Sequence, residues 1–291
     1  MSDPTRSIVK RFPGVETMEG AGVRLRRMFG NREVPLFDPF LLLDNFGSSN
    51  PADYLAGFPW HPHRGIETVT YMLEGEVDHG DTLGNSGRIH PGEVQWMTAG
   101  SGIIHQEMPQ RTEGRLSGFQ LWVNLPARSK MTVPAYRGIA PVDIPTVTSD
   151  AGARVKVIAG GYGGTEGPVR GTSVEPTYLD VDLPPEESFE LPTRGAHTAF
   201  AQAMRGTGYF DLRDPQPATP GETILYGPGE SVRVRAGPEG VRFLLVTGRP
   251  LGEPVAWYGP IVMNTRDEIS RAALELRSGE FLHHRSPVLE E

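Results

Sequence analysis

The chain has 291 residues, which is enough for one large domain or two ordinary ones. A formal net charge of −8 without any Lys/Arg cluster argues against a nucleic-acid-binding surface, and the lack of cysteine excludes disulfides, thiolate metal ligands and cysteine nucleophiles. No apolar run is long enough to span a membrane, and the first residues lack the apolar core of a signal peptide. We therefore expect a cytoplasmic protein that associates with neither membrane nor nucleic acid.

Short strands are predicted along most of the chain, because apolar or alternating segments are separated by turn residues drawn from 36 glycines and 27 prolines. In the first half the candidates are GVRLRRMFG (22–30), PFLLLDNFG (39–47), ETVTYMLEGEVDH (67–79), GEVQWMTAG (92–100) and SGFQLWVNLP (117–126). After a proline-rich linker near 128–145, strands resume with ARVKVIAG (153–160), TYLDVDL (177–183), HTAFAQAMRGTGYFDL (197–212), ETILYGPGESVRVRAG (222–237) and VRFLLVTG (241–248). One helix is predicted in TRDEISRAALELRSGEF (265–281), where Thr265 and Glu268 form a capping box.

The two halves of the chain are similar in sequence. PGEVQWMTAG (91–100) aligns without gaps on PGESVRVRAG (228–237) with five identical positions, and a glycine turn precedes each copy. The matching order of elements favours duplication of one all-β unit. The sequence therefore predicts two β-barrels in tandem, over residues 1–136 and 137–291, with a short helix at the C-terminal end of the second.

Two pairs of polar residues stand out in the first half. His61 and His63 begin the segment FPWHPHRGIETVTYMLEG (58–75), and His105 and Glu107 lie in AGSGIIHQEMP (99–109). Each pair has the i, i+2 spacing that places both side chains on one face of a strand. Two adjacent antiparallel strands would bring three imidazoles and one carboxylate together inside a barrel.

Such a donor set suits Fe(II), Mn(II), Ni(II), Cu(II) or Zn(II), and four protein ligands leave open positions on an octahedral metal for substrate or dioxygen. Each element taken alone has a simpler interpretation. An isolated His-x-His pair is weak evidence for a metal, and His105 alone is compatible with a hydrogen-bonded histidine of the core. The conjunction of the two pairs is the observation that indicates a metal site.

GFPWHPHRGIETVTYMLEG followed by PGEVQWMTAGSGIIHQEMP resembles the two cupin motifs as they occur in the pirin family, and the resemblance extends over essentially the whole chain. It implies a bicupin, that is, two jelly-roll-like cupin barrels in tandem, with one divalent metal ion in the N-terminal barrel. Fe(II) is favoured, and Mn, Ni, Cu or Zn stay open. By position, the resemblance implies the metal ligands His61, His63, His105 and Glu107. Glu67 has two open interpretations, either a residue that orients a ligand or a structural strand residue.

The second predicted barrel lacks these ligands. In the ungapped alignment His105 and Glu107 fall on Arg242 and Leu244, and counting back from Gly206 places the His61 and His63 positions on Pro192 and Arg194. None of the four residues is a usual metal ligand. We therefore expect a degenerate second barrel.

Three functions are compatible with a metal site of this kind. The resemblance implies a metal-dependent dioxygenase that opens flavonols such as quercetin. Glu107 is the candidate catalytic base, because a carboxylate can accept the proton of the flavonol hydroxyl. The candidate walls for a flat aromatic substrate are Phe58, Trp60, Trp96, Met97 and Trp122, and a position in the core is the alternative for most of them. The alternative function is a non-enzymatic, metal-dependent regulator that binds a protein partner. A metal that only stabilises the barrel is the third. In each case we expect a monomer.

Overall fold

The computed structural model describes residues 5–284, which form mostly strands. The first twelve are β1 (Ile8–Phe12), β2 (Val15–Glu19), β3 (Val23–Phe29), β4 (Phe40–Ser48), β5 (Phe58–His63), β6 (Ile66–Glu74), β7 (Val77–Asp81), β8 (Ser86–Ile89), β9 (Val94–Thr98), β10 (Ile103–Pro109), β11 (Leu116–Asn124) and β12 (Ala135–Ile139). The others are β13 (Thr146–Thr148), β14 (Arg154–Ala159), β15 (Gly161–Tyr162), β16 (Thr165–Glu166), β17 (Thr177–Leu183), β18 (Ser188–Pro192), β19 (Thr198–Tyr209), β20 (Thr223–Tyr226), β21 (Ser231–Gly248), β22 (Ala256–Tyr258) and β23 (Ile261–Met263). A single α-helix, α1 (Arg266–Ser278), follows, and the described residues include no helix of the length and hydrophobicity that a membrane crossing requires.

The described chain divides into two compact units that interleave along the sequence. The first barrel comprises residues 15–36, 40–141 and 252 onward, and the second barrel comprises residues up to 14, 37–39 and 142–251. The predicted all-β architecture of two barrels and one C-terminal helix is confirmed. Helix α1 lies in the compact unit of the first barrel, whereas the sequence analysis groups it with residues 137–291. The domain boundary after residue 136 stays a prediction.

The first barrel is built from two antiparallel sheets. The larger has the strand order β12-β9-β6-β11-β4-β3-β2, and the smaller has the order β5-β10-β7-β8. Strand β10 alternates between buried and partly exposed residues, and Ile103, His105 and Glu107 all face inward. The i, i+2 spacing read from the sequence thus places both polar side chains of β10 inside the barrel.

The second barrel is an eight-stranded sheet with the order β1-β20-β19-β21-β17-β14-β13, and β18 pairs with the first part of β21. Its interior is filled by a cluster of buried apolar side chains that includes Phe189, Phe210 and Phe243. Edge-to-face contacts link these rings, with centroids 5.7 Å apart for Phe189–Phe243 and 5.2 Å for Phe210–Phe243. This interior is an apolar core.

The hydrogen bonds of the two barrels correct the predicted internal alignment. In the first barrel Gly92 N donates to Met72 O and Met72 N donates to Glu93 O; in the second, Gly221 N donates to Ala203 O and Ala203 N donates to Glu222 O. The counterpart of Pro91-Gly92-Glu93 is therefore the Pro-Gly-Glu at 220–222, and the alignment on 228–230 is wrong. The second half of the chain contains two copies of this tripeptide, at 220–222 and 228–230, and only strand pairing shows which one is the counterpart.

With this corrected alignment, the strand pair that carries the histidines, β5–β10, corresponds to the pair β18–β21 of the second barrel. In the first barrel His61 faces His105 and His63 faces Ile103. In the second barrel the corresponding pairs are Phe189 with Val234 and Leu191 with Val232. The positions of the predicted ligands are therefore occupied by apolar core residues, and not by Pro192, Arg194, Arg242 and Leu244 as the ungapped alignment predicts.

Helix α1 begins and ends as its sequence predicts. Thr265 and Glu268 form the expected capping box, and Gly279 closes the helix with a left-handed φ of 79°. Its buried Ala272 packs in a cluster with Ile261 and Met263 of β23. The helix and the β22–β23 hairpin therefore form one small layer on the first barrel.

Two buried cations join this C-terminal layer to the first barrel. Arg64 forms a 2.7 Å ion pair with Glu275 and donates to the carbonyls of Ser101 and Phe281. Lys130 Nζ donates to Gly65 O at 2.9 Å, to Asn124 Oδ1 at 2.7 Å and to Val262 O at 2.9 Å. These bonds explain why the last segment of the chain packs on the first barrel.

We expect Lys130→Met to destabilise the protein by about 3 kcal/mol, because it leaves three buried oxygen acceptors without their donor. Urea unfolding followed by circular dichroism measures the effect as a lower midpoint. Arg128→Met, which removes an exposed cation from the same segment, is the matched control and should change stability by less than about 0.5 kcal/mol. Equal midpoints for the two variants would contradict this account.

Candidate metal centre

Three histidines converge inside the first barrel. His61 and His63 project from β5, and His105 projects from the neighbouring β10, where it lies directly opposite His61. One ring nitrogen from each residue lies within 4.8 Å of those of the other two. The structure thus brings together the three imidazoles that the sequence analysis selected from two separate segments.

Backbone carbonyls orient two of these rings. His61 Nδ1 lies 2.8 Å from Pro59 O, and His63 Nδ1 lies 3.2 Å from Pro260 O. A carbonyl oxygen only accepts, so each Nδ1 carries the proton and each Nε2 presents a lone pair. The two Nε2 atoms are 3.1 Å apart, and in these tautomers neither donates to the other.

The third imidazole, that of His105, has a ring nitrogen without a hydrogen-bond partner. His105 Nε2 is buried and has no hydrogen-bond partner among the described residues. Unpartnered buried nitrogens and facing lone pairs are unfavourable unless a cation lies between them. The donor set therefore fits a divalent metal ion, with three neutral nitrogens of the kind that first-row metals accept.

Burial keeps the imidazoles of His63 and His105 in their neutral, metal-binding form. Desolvation, together with the neighbouring His61, lowers the pKa of His63 to about 3, against the opposing effect of the bond to Pro260. The pKa of His105 is also lowered well below its ordinary value, first by burial and then by His63 and His61. A protonated imidazole does not bind a metal, so this environment favours ligation at neutral pH.

Glu107 lies close to the histidines but has its own partners. Thr70 Oγ1 donates to Glu107 Oε1 at 3.1 Å, and Gln120 Nε2 donates to Glu107 Oε2 at 3.3 Å. Burial raises the pKa of Glu107, and His61 acts in the opposite direction. The carboxylate is not part of the group of nitrogens within 4.8 Å of one another. Its roles as fourth ligand and as base stay predictions.

A cavity of about 710 Å³ opens over His61, His63 and Glu107. Its aromatic lining residues are Phe58, Trp60, Trp122, Trp257 and Tyr258. Trp122 meets His63 edge-to-face with centroids 5.1 Å apart, and Trp257 packs on Trp122 at 5.7 Å. A flat apolar molecule would be enclosed by aromatic surface on its way to the histidines.

Two of the candidate wall residues are placed elsewhere. Trp96 and Met97 are both buried and do not line the cavity. They are successive residues of β9 and point to opposite faces of the sheet, and Met97 packs in a core cluster with Leu41 and Ile66. Glu67 lies apart from the histidine group and accepts a 2.7 Å hydrogen bond from Thr98 Oγ1, which favours the structural interpretation of this residue. Burial raises its pKa.

The sequence analysis did not identify several residues of the site. Three lining residues come from the C-terminal segment: Trp257, Tyr258 and Pro260. The sequence analysis places this segment in the second barrel. Thr70 and Gln120 lie on β6 and β11, and only the pairing of these strands brings them to Glu107. Their strand positions predict an inward direction, but not a shared partner.

Comparison with known proteins identifies the family of the chain. The pirin family model matches residues 22–123, and the model of the pirin C-terminal cupin domain matches residues 178–282. A pirin-like protein of Caulobacter vibrioides is 47% identical over 279 residues, which cover 96% of this chain and 100% of that protein. Human pirin is 42% identical over 279 residues, covering 95% of this chain and 92% of pirin.

Two further relatives carry the name of an enzyme. A Pseudomonas aeruginosa protein, named provisionally as a quercetin 2,3-dioxygenase, is 45% identical over 94% of this chain and 97% of its own length. The crystal structure of a quercetin 2,3-dioxygenase from Acinetobacter baumannii superimposes with a TM-score of 0.87 at 33% identity, over 96% of this chain and 99% of that one. The family models, the relatives and the two-barrel fold agree, and the chain belongs to the pirin family of cupin proteins.

Proposed function

We propose that this protein is a metal-dependent dioxygenase whose substrate is a flat aromatic molecule with adjacent oxygen donors, such as the flavonol quercetin. The observation that carries this proposal is the convergence of three imidazoles at an aromatic-lined cavity whose lining includes His61 and His63. The relatives named as quercetin 2,3-dioxygenases support the same reaction class. Flavonols match the cavity because they are planar, largely apolar and able to present two oxygens to one metal.

We assign His61, His63 and His105 as metal ligands, with Glu107 as the fourth. The unpartnered His105 Nε2 and the facing nitrogens of His61 and His63 support the histidine assignments. Iron in the ferrous state is our choice of metal, and the same donors also accept Mn, Ni, Cu or Zn. When bound, such a metal supplies Lewis-acid polarisation of the substrate oxygens and access to dioxygen chemistry.

The residues around the metal ligands then orient the substrate and take its proton. Trp122 and Trp257 form an aromatic wall against which a flat ring system stacks. Glu107 accepts the proton of the flavonol hydroxyl at a carboxylate oxygen. Thr70 and Gln120 each donate to one oxygen of Glu107, so they fix the direction in which the carboxylate presents its remaining lone pairs.

A metal-dependent regulator that binds a protein partner is the second candidate. Trp60 and Tyr258 are 54% and 70% exposed although both line the cavity, and exposed aromatic residues are frequent at protein interfaces. Substrate turnover separates the candidates. Dioxygen consumption with quercetin by the fully metallated protein supports the enzyme, and its absence moves the assignment to the regulator.

We expect His105→Ala to lose the metal while the chain stays folded, because the apolar core clusters of both barrels do not include the three histidines. Metal content by mass spectrometry and secondary structure by circular dichroism are measured on the same samples. His90→Ala is the matched control, since His90 is exposed and pairs with Glu76 away from the site. Unfolding of His105→Ala would instead indicate that the metal is structural.

Glu107→Gln keeps an oxygen donor but removes the negative charge and most of the basicity. If Glu107 is the base, flavonol turnover per bound metal should fall by about 10²–10⁴-fold, the usual contribution of a positioned proton acceptor. Normalising to bound metal separates lost chemistry from lost metal. Unchanged turnover per metal would remove Glu107 from the base role.

A further inference from the structure

A second cavity lies in the second barrel, and the proposed reaction makes no use of it. It has a volume of about 520 Å³. One side is formed by a glycine-rich segment between β14 and β17, and the other by the β18–β19 connection with Thr193, Arg194 and His197. Four of its lining residues are glycines: Gly160, Gly161, Gly167 and Gly171. Gly160 and Gly167 pack closely on neighbouring backbone, whereas Gly171 has open space where a side chain would be.

Positive charge exceeds negative charge around this cavity. Arg194 and Arg249 share a single carboxylate, that of Glu175, and Arg249 Nε lies 3.4 Å from Glu175 Oε1. Arg170 at the rim pairs with Glu166 at 3.0 Å. The chain as a whole has a net charge of −8, so this local excess of guanidinium groups runs against the overall charge.

A fourth guanidinium lies behind the β18–β19 connection without a counter-ion. Arg6 is 1% exposed and donates to neutral acceptors only, among them Thr193 Oγ1 at 2.8 Å and Arg194 O at 2.8 Å. It forms no ion pair with any residue of the described chain. A buried cation with neutral partners leaves a positive potential that a nearby anion would offset.

His197 is a buried polar side chain that lines the cavity without a partner of its own. It is 8% exposed, and its ring makes no hydrogen bond within residues 5–284. Burial lowers the pKa of His197, and Arg194 lowers it further. The ring nitrogens of His197 are not among the buried polar atoms that lack a partner, so they are accessible from the cavity and can form a hydrogen bond with a ligand there.

The counter-ion of this cluster is held in an unusual backbone conformation. Glu175 has a φ of 48° and precedes Pro176. This left-handed region is unfavourable for residues other than glycine, and non-glycine residues in such conformations occur preferentially at ligand sites. In this conformation one carboxylate pairs with both Arg194 and Arg249.

We propose that this cavity binds a small polar molecule through an oxyanion group, either a carboxylate or a phosphate. The oxyanion displaces Glu175 from Arg194 and forms a hydrogen bond with His197, and Arg249 keeps Glu175 as its counter-ion. The guanidinium excess and the free imidazole provide the recognition, and the glycine-rich wall accommodates the remainder of the ligand. The site lies wholly within the second barrel and is independent of the proposed metal chemistry.

Isothermal titration of the full-length protein with inorganic phosphate and, separately, with malonate tests the proposal at constant ionic strength. We expect saturable binding of at least one anion, and the stronger of the two identifies the oxyanion class. Arg194→Gln and His197→Gln should each weaken binding by at least about tenfold, as expected for loss of a charge-assisted or buried hydrogen bond. Glu175→Gln should strengthen binding, because it removes the competing carboxylate.

Two controls locate the site. Arg205→Gln breaks an exposed ion pair with Asp182 in the same barrel and should leave the affinity unchanged. His105→Ala should also leave it unchanged, and a loss of binding in that variant would place the anion at the metal centre and overturn the proposal. Absence of binding for both anions, or equal affinities for Arg194→Gln and Arg205→Gln, would overturn it as well.

Discussion

The first barrel depends on one electrostatic constraint, the convergence of three imidazole nitrogens at a single buried point. Neutral rings with facing lone pairs repel one another and lose hydrogen bonds to water, so the surrounding structure has to hold them in place. The β5–β10 ladder sets the spacing, and the carbonyls of Pro59 and Pro260 set the tautomers of His61 and His63. Because Pro260 belongs to the C-terminal segment, the site also depends on Arg64 and Lys130, which bind that segment to the barrel.

The two barrels share an arrangement of strands but differ in the residues that fill their interiors. The same Pro-Gly-Glu turn and the same backbone hydrogen bonds occur in both. At the ladder positions where the first barrel has His61 and His105, the second has Phe189 and Val234, and the interior changes from a polar site to an apolar core. The second barrel has a separate cavity beside Arg194 and His197, which is lined largely by strand ends and connecting loops. Loops tolerate such changes more readily than a packed core.

Much of this arrangement was predictable from local patterns. The i, i+2 histidine pair and the His105–Glu107 pair report which residues share a strand face, and the Thr265–Glu268 capping box marks the start of α1. Contacts between segments that are far apart in the sequence could not be predicted from such local patterns. The repeat alignment was placed on the wrong Pro-Gly-Glu because hydrogen-bond pairing, and not residue identity, fixes the register. Likewise, Trp257 and Pro260 reach the cavity only because buried cations bring the end of the chain back to the first barrel.

The central claim is that His61, His63 and His105 hold one metal ion in the first barrel. The most direct measurement is the metal content of protein purified without chelator, combined with X-ray absorption spectroscopy at the edge of the metal found. The account predicts about one divalent metal per chain, with a spectrum that shows several imidazole nitrogens bound to it. Protein that remains metal-free after exposure to these divalent ions, or a bound metal without imidazole ligands, would contradict it.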